Sequence, residues 1–332
     1  SMDLLRRGTI GPRVYMVVPG LFSRLPNAVV GYYFDELLIH LFTSSPSLQE
    51  AGLQARQGDA LVSDEHFRTY WEVKNACEVG KGLRFSLLYN GSGFSMFCAP
   101  YRDVTLYGFE GSLVKEHPSV VLRNPRFQYL QGVGYGKRGD VLDAHALPSG
   151  FVFTSEGQAI TGLAEEQALL GLAFLNSSIA QYCINQYCGQ HKHCGYVNLL
   201  PFLRPQEVDG AAAIDNTLEI LALKTDWFSQ DETTLDFRSP CFCSLTNVPL
   251  PLPKEMRQRV QSQLVRDSHA LEQKIAINDG LFARAGGVTS GQMARLDEFS
   301  GHRPQDTLCP ELETDRTEQG AFLAHVVLSH AL

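Results

Sequence analysis

Several features that would quickly place a chain in a functional class are missing from this sequence. Its 332 residues contain no apolar run approaching the roughly 20 residues that a membrane-spanning helix needs. The opening residues, SMDLLRRG, lack the hydrophobic stretch of a secretory signal, and the eight cysteines show no disulfide-framework spacing. We therefore expect a cytoplasmic protein with reduced thiols and no membrane partner.

Positive charge is scarce over the chain as a whole. The sequence has 28 Lys and Arg against 36 Asp and Glu, which gives a formal net charge of −8. This balance argues weakly against indiscriminate binding of nucleic acid, although one face can still be basic. With 44% hydrophobic and 19% charged residues, the composition is that of a folded protein long enough for two or three domains.

Motifs of common catalytic and cofactor sites are also missing. The stretch GVGYGKRG at 132–139 spaces its glycines G-x-G-x-G, whereas a dinucleotide site needs G-x-G-x-x-G and a phosphate loop needs Ser or Thr after its lysine. We interpret these glycines as a turn between two strands. No G-x-S-x-G elbow or cluster of carboxylates appears. We therefore predict no cofactor and identify no catalytic residue in this chain.

Cysteine and histidine are concentrated between Cys183 and Cys194. Cys188 and His191 have the spacing of zinc ligands, but no second matching pair accompanies them. Cys183 falls on an apolar helical stripe, where a free cysteine commonly packs as a small apolar residue. We assign no metal site. A zinc hydrolase using Cys188, His191 and His193 is an alternative that metal analysis would test.

The spacing of apolar residues predicts an α+β fold in which a β-rich lobe precedes a helical region. Residues 64–161 contain short apolar-aromatic runs separated by Gly, Pro, Asn and Asp. Residues 1–63 are predicted to be a connecting α/β segment, with a strand near 13–18 and a helix near Leu37–Phe42. Residues 162–332 are predicted to be a helical spacer, truncated at the C-terminus because AFLAHVVLSHAL resembles an interrupted helix.

Three helices are predicted in the first part of this spacer. One covers residues 165–187, and a second begins at Asn216, with Glu219 completing a capping box. The third begins at Pro253 and ends at Gly286-Gly287. Its apolar residues recur at intervals of four and seven, which is typical of a seam that packs on a partner helix. We predict this seam to be a docking surface formed by Met256, Val260, Leu264, Leu271, Ile275 and Phe282.

One segment has a charge opposite to that of the whole chain. Between Lys81 and Arg138 there are eight Lys or Arg and three Asp or Glu, together with ten Phe or Tyr. Basic side chains neutralise phosphates, and aromatic or arginine side chains stack on bases. The same composition would suit a β core with a solvated charged face. Composition alone favours neither DNA binding nor a β core with a charged face.

The order of several short motifs favours DNA binding. FRTYWEV at 67–73, VGKG at 79–82, GVGYGKR at 132–138, LLGLAFLNSS at 169–178 and GYVNLLPF at 195–202 follow one another. Together they resemble the C-terminal half of the PglX family, the large adenine-N6 DNA methyltransferases of BREX-type phage defence, and their type IIG and DISARM relatives. The chain departs from that pattern at Tyr135, where the family frequently has tryptophan.

This resemblance implies that residues 64–161 are a target-recognition domain for double-stranded DNA and that the helices are a spacer. The methyltransferase domain, with its S-adenosylmethionine, would precede this segment or belong to another chain, and other defence-system subunits would be partners. An alternative is a protein-interaction module without DNA contact. The predicted DNA contacts are Lys81, Arg84, Asn90, Arg123, Arg126, Gln131, Tyr135, Lys137 and Arg138.

Overall fold

The computed structural model describes residues 35–91, 93–188, 190–238 and 253–299, with the isolated residues 20, 23, 25–28 and 308. Within these ranges the fold is α+β, as the apolar spacing predicts. The strands are β1 Phe67–Thr69, β2 Phe85–Tyr89, β3 Asp103–Leu106, β4 Gly132–Gly136, β5 Ala144–Leu147, β6 Phe151–Phe153 and β7 Gly157–Thr161. The helices of nine or more residues are α1 Glu36–Ser44, α2 Glu165–Leu175, α3 Ser178–Tyr187, α4 Glu207–Phe228, α5 Pro253–Ala285 and α6 Ser290–Phe299.

The strands form two small sheets. The first has the order β1-β3-β2-β6, with β2 and β6 parallel and its other pairs antiparallel. The second has the order β5-β4-β7 and is antiparallel throughout. Arg56 extends this second sheet by one bridge to Ala159 on the outer edge of β7. Residues 154–156 connect β6 to β7 and so join the two sheets.

The prediction of a glycine turn at 132–136 is wrong, because these residues form β4, the central strand of the second sheet. Gly132, Gly134 and Gly136 alternate along the strand and share one face. A Cβ on Gly134 would lie 2.5 Å from Cε1 of Tyr89. Glycine is needed there because a tyrosine of the first sheet rests directly on the backbone of β4.

Three of the apolar-aromatic runs that the sequence suggested as strands have other structures. Residues 94–100, 119–124 and 126–132 form turns, bends, isolated bridges or the end of a short 3-10 helix, although β4 begins at the end of the third run. Positive φ angles at Phe97 (67°), Asn124 (50°) and Tyr129 (66°) explain the difference. A left-handed residue turns the chain out of the extended conformation that a strand requires.

The helix predictions have mixed outcomes. Helix α1 is confirmed, and Asp35 caps it by accepting a 2.9 Å hydrogen bond from the Leu38 amide. The single helix over 165–187 is wrong, because Ser177 accepts from the Ala180 amide and begins α3 as a separate helix. The helix predicted from Asn216 begins nine residues earlier, at Glu207.

The bounds predicted for the long helix α5 are confirmed, but its seam is not a free docking surface. Val260, Leu264, Leu271 and Phe282 are buried in the core that the helices share with the second sheet. The seam therefore packs on its own chain over the described residues. Met256 lies outside the residues whose side chains are described.

The second sheet and helices α2 and α3 are joined by polar side chains as well as by apolar contacts. Asn176 accepts a 3.1 Å hydrogen bond from the Ala144 amide and donates one of 3.0 Å to its carbonyl oxygen. Gln181 accepts from the Leu142 amide at 2.9 Å. The helices thus complete the hydrogen bonding of the segment that includes β5.

Other sequence predictions lie outside the described residues: the strand near 13–18 and the helix at 321–332. The domain boundaries at 63 and 161 remain predictions. Among the helices that the structure describes, none has both the length and the apolar character needed to cross a membrane.

Candidate nucleic-acid interface

The predicted DNA contacts do not form one cluster. Arg84 precedes β2 and Asn90 follows it, so about 20 Å of extended chain separates them. The same separation holds along β4 between Gln131 and Lys137. The contacts therefore divide between two ends of the strands, and each end has its own geometry.

The first group surrounds Glu156 in the turn that joins the two sheets. Lys137 Nζ lies 3.1 Å from Oε1 of Glu156, and Arg138 Nε lies 2.8 Å from Oε2. The backbone fixes this arrangement, because the Lys137 amide donates to the Glu156 carbonyl oxygen at 2.8 Å. Asn90 joins the group through its side-chain oxygen, which accepts from the Thr154 hydroxyl at 2.5 Å. We call Asn90, Lys137, Arg138 and Glu156 the turn group.

The turn group carries a net charge of about +1, since one carboxylate faces two cations. The side chain of Arg138 is 70% exposed, whereas that of Lys137 is 17% exposed. A guanidinium has five N–H donors, and Glu156 engages the one at Nε. Arg138 is therefore the better placed of the two to bind an external phosphate.

The second group lies where β2 and β6 begin. Lys81 Nζ is 5.5 Å from the centroid of the Tyr129 ring, a cation–π distance. Arg84 is exposed and lies 3.6 Å from a carboxylate oxygen of Glu78. Phe109 is also 66% exposed and lies beside Gly82. The sequence did not single out Phe109 because its exposure depends on a turn with positive φ at Gly108 and Glu110.

Arg126 and Gln131 lie near the end of β7. Both are exposed, and the Gln131 carbonyl oxygen accepts from the Gly162 amide at 3.1 Å. The Arg126 guanidinium carbon is 4.9 Å from the centroid of the Phe127 ring. The guanidinium carbon of Arg56 is 3.5 Å from the same centroid. Arg56 lies outside the segment whose charges were counted, so the sequence did not suggest it.

Arg123 is half-buried beside Asp59. Its amide donates a 2.6 Å hydrogen bond to Oδ1 of Asp59, while Tyr107 donates to Oδ2 at 2.7 Å. Burial raises the pKa of Asp59 above its usual value, and these donors oppose the rise. Nη1 of Arg123 is buried without a hydrogen-bond partner among the described residues. Arg123 is thus less accessible to DNA than Arg84, Arg126 or Arg138.

Tyr135 is not available as a DNA contact. Its side chain is fully buried in the core, and its hydroxyl donates to Oε1 of Gln158 at 3.0 Å. Residues of β4 alternate between two faces, and Tyr135 points away from the face that its flanking glycines open. Its prediction as a DNA-binding residue is corrected for this reason. It fills the core.

The cysteine and histidine residues near α3 do not converge on a metal geometry. Cys183 is fully buried, and burial raises the pKa of its thiol well above the usual value. Within the part of the chain that is described, no three His, Cys, Asp or Glu side chains are grouped to hold a metal ion. His191 instead forms a backbone bridge with Arg138. Nothing in the described residues favours the zinc alternative.

A cavity of about 180 Å³ adjoins the strand end that carries Asn90. Its walls include Tyr89, Tyr101, Arg102 and Asp103. Arg102 donates to Asp231 at 2.8 Å, and burial raises the pKa of Asp103. The cavity therefore combines two aromatic walls with one acidic group that burial makes harder to ionise.

Comparison with known proteins places the chain in no family and finds only weak structural likeness. No model of a protein family matches the chain, and no curated protein does. A solved structure with a similar arrangement is that of the type IIL restriction-modification enzyme MmeI in complex with DNA. The identity is 12% and the TM-score 0.43, over 75% of this chain and 35% of that chain. The chain thus spans about a third of that enzyme's chain.

Proposed function

We propose that this chain is the DNA-recognition module of a cytoplasmic DNA methyltransferase of the restriction-modification or phage-defence type. The motif order favours the adenine-N6 enzymes of the PglX, type IIG and DISARM group. In this proposal the chain binds double-stranded DNA and carries no cofactor. S-adenosylmethionine belongs to a methyltransferase domain outside this segment, and that domain or other defence subunits are its protein partners.

The observation that carries the proposal is the turn group. Two adjacent cations there share a single carboxylate, and the guanidinium of Arg138 is mostly exposed with unused donors. Such a group can exchange an internal ion pair for charge-assisted hydrogen bonds to a backbone phosphate. Lys81, Arg84 and Arg126 are further exposed cations of the β-rich segment. The amides of Asn90 and Gln131 supply donors and acceptors suited to base edges.

Two changes at the turn group should alter duplex binding in opposite directions. Replacing Lys137 and Arg138 by Ala should weaken binding and lower the salt slope by about 0.9 for each phosphate that is no longer neutralised. Replacing Glu156 by Gln should tighten binding by up to about fivefold, because the largely exposed Arg138–Glu156 ion pair, which competes with phosphate, is worth roughly 1 kcal/mol or less. Fluorescence anisotropy of a labelled duplex over a range of salt concentrations measures both.

Glu207→Gln is the matched control for Glu156→Gln, because Glu207 is exposed on α4 and lies outside the β-rich segment. The Ala variant is expected to lose affinity for duplex DNA and the Glu156→Gln variant to gain it. A misfolded variant would only lose affinity, so a gain identifies a direct effect on DNA binding. If Glu156→Gln and Glu207→Gln bind alike, the phosphate role of Lys137 and Arg138 is wrong. If the unmodified chain does not bind duplex DNA, the proposed function is wrong.

A further inference from the structure

Two arginines stack on one phenylalanine at the edge of the second sheet. The guanidinium carbons of Arg56 and Arg126 lie 3.5 and 4.9 Å from the centroid of the Phe127 ring. They are therefore at most about 8 Å apart, the sum of those two distances. We call Arg56, Arg126 and Phe127 the arginine pair site.

Hydrogen bonds to neighbouring residues hold the arginine pair site in place. Arg56 donates from Nη1 to the Gln54 carbonyl oxygen at 2.9 Å and from Nη2 to Oε1 of Gln54 at 2.7 Å. The Arg56 backbone pairs with Ala159 of β7. The Phe127 carbonyl oxygen accepts from the Thr161 hydroxyl at 2.8 Å. The backbone at Phe127 and the guanidinium of Arg56 are thus held by hydrogen bonds before any ligand arrives.

No carboxylate neutralises this pair within the described part of the chain. None of the ion pairs among those residues includes Arg56 or Arg126. Burial is the main reason that the pKa of Arg56 is lowered, and the nearby charge of Arg126 lowers it further. Every other arginine among the predicted DNA contacts differs in this respect: Arg84 and Arg138 have acidic partners, and Arg123 lies against Asp59.

An anion would relieve this repulsion. Each guanidinium has five N–H donors, and Gln54 occupies two of those on Arg56. Charge-assisted bonds from guanidinium to phosphate are about 2.8 Å long, and such pairs are often bidentate. A single phosphate can therefore bridge two guanidinium groups at this separation. Contact with the Phe127 ring restricts both guanidinium groups, which reduces the entropy lost on binding.

We propose that Arg56 and Arg126 on Phe127 form a binding site for one phosphate group of the DNA backbone. This assignment rests on the proposed function and adds Arg56, which lies outside the basic segment, to the DNA-contacting residues. The site is at the opposite end of β7 from the turn group, about 13 Å away along the strand. Two anchors at that spacing would contact two different phosphates and so hold a duplex in one orientation.

The test compares Arg126→Gln with Arg204→Gln in the full chain. Both arginines are exposed and have no ion pair among the described residues, but Arg204 lies near the start of α4. Duplex DNA binding is measured by anisotropy over a range of salt concentrations. Arg126→Gln should lower the salt slope by about 1, whereas Arg204→Gln should leave it unchanged. Equal slopes for the two variants would overturn the site while leaving the proposed function intact.

A second measurement separates the two proposals. The Nε–Hε resonances of Arg56 and Arg126 are followed by NMR in the labelled chain during titration with inorganic phosphate, and then with duplex DNA. Shifts with both ligands support the site as assigned. Shifts with phosphate alone, in a chain that fails to bind duplex, overturn the assignment to DNA together with the proposed function. Resonances that move with neither ligand overturn the site itself.

Discussion

Gly134 sets the distance between the two sheets. The ring of Tyr89 lies on the backbone of β4 at this residue, and the Tyr89 hydroxyl hydrogen-bonds Nδ1 of His145 at 2.7 Å. That bond, together with full burial, leaves the ring little room to move. The absence of one side chain therefore determines how closely β2 and β4 approach.

Replacing Gly134 by Ala should destabilise the protein by about 1–3 kcal/mol, because the new methyl would overlap a ring that is fixed by packing and a hydrogen bond. Urea unfolding followed by circular dichroism measures the change. Gly280→Ala is the control: a Cβ there meets nothing within 4 Å, and the residue lies inside α5. That control should gain about 0.5–1 kcal/mol from helix propensity. If the Gly134→Ala variant loses no more stability than the experimental error, the close approach of Tyr89 to β4 is wrong.

Alternating glycines are ambiguous when only the sequence is known, because the same residues suit a turn and a strand that is closely covered. The covering residue, Tyr89, is 45 positions away from Gly134 and could not be inferred from local spacing. Arg56 was missed for a similar reason: a count of charges along the chain does not include a residue that only β pairing brings beside Phe127. The exposed cations Arg84 and Arg138 could be predicted, since basic residues are mostly exposed wherever they occur.

At the scale of elements, helix α5 connects the other helices. Its residue Asp279 accepts hydrogen bonds from the amide and hydroxyl of Ser178, at 2.7 and 2.6 Å, at the N-terminus of α3. A carboxylate there also suits the positive end of the helix dipole. Asn216 of α4 donates to the Lys274 carbonyl oxygen at 2.5 Å and to Asn278 at 3.0 Å. These hydrogen bonds thus fix the position of α5 along α3 and α4, which the apolar contacts of the seam specify less strictly.

The element bounds that could be predicted are those marked by strong local signals. Pro253 and Gly286-Gly287 delimit α5. Helix α4 begins without a capping side chain at Gln206, so its start gave no signal. The break between α2 and α3 is hidden by an apolar stripe that continues across Ser177. The apolar seam of α5 indicated that this helix packs on another helix. The spacing of its apolar residues does not identify that other helix.

Truncating the seam of α5 should therefore unfold the protein rather than release a partner. Leu271→Ala is expected to cost about 2–5 kcal/mol, because Leu271 is 1% exposed in the shared core. Val265→Ala, on an exposed position of the same helix, should change stability by no more than about 0.5 kcal/mol. Denaturant unfolding of both variants measures this. A fully stable Leu271→Ala variant would restore the seam as a candidate docking surface.

At the scale of the whole molecule, one core crosses the boundary between the β-rich segment and the helices. Val133, Tyr135 and Ile160 of the second sheet belong to the same buried cluster as Phe174 of α2 and Ile179 of α3. Burial of this size is the main source of folding free energy. The division at residue 161 therefore separates strand-rich from helix-rich sequence, but it does not separate two cores.

A fragment covering 64–161 should consequently fail to fold alone. It would expose the apolar face of the second sheet and leave the Ala144 and Leu142 backbone groups without Asn176 and Gln181. Its surviving clusters around Tyr89 and Tyr107 are small, and short chains bury too little surface to offset their conformational entropy. The expected result is a poorly dispersed NMR spectrum and no cooperative urea transition, in contrast to the full chain. A dispersed spectrum with a cooperative transition would instead show that the β-rich segment is an autonomous domain, and the contacts from α2 and α3 would then orient it rather than fold it.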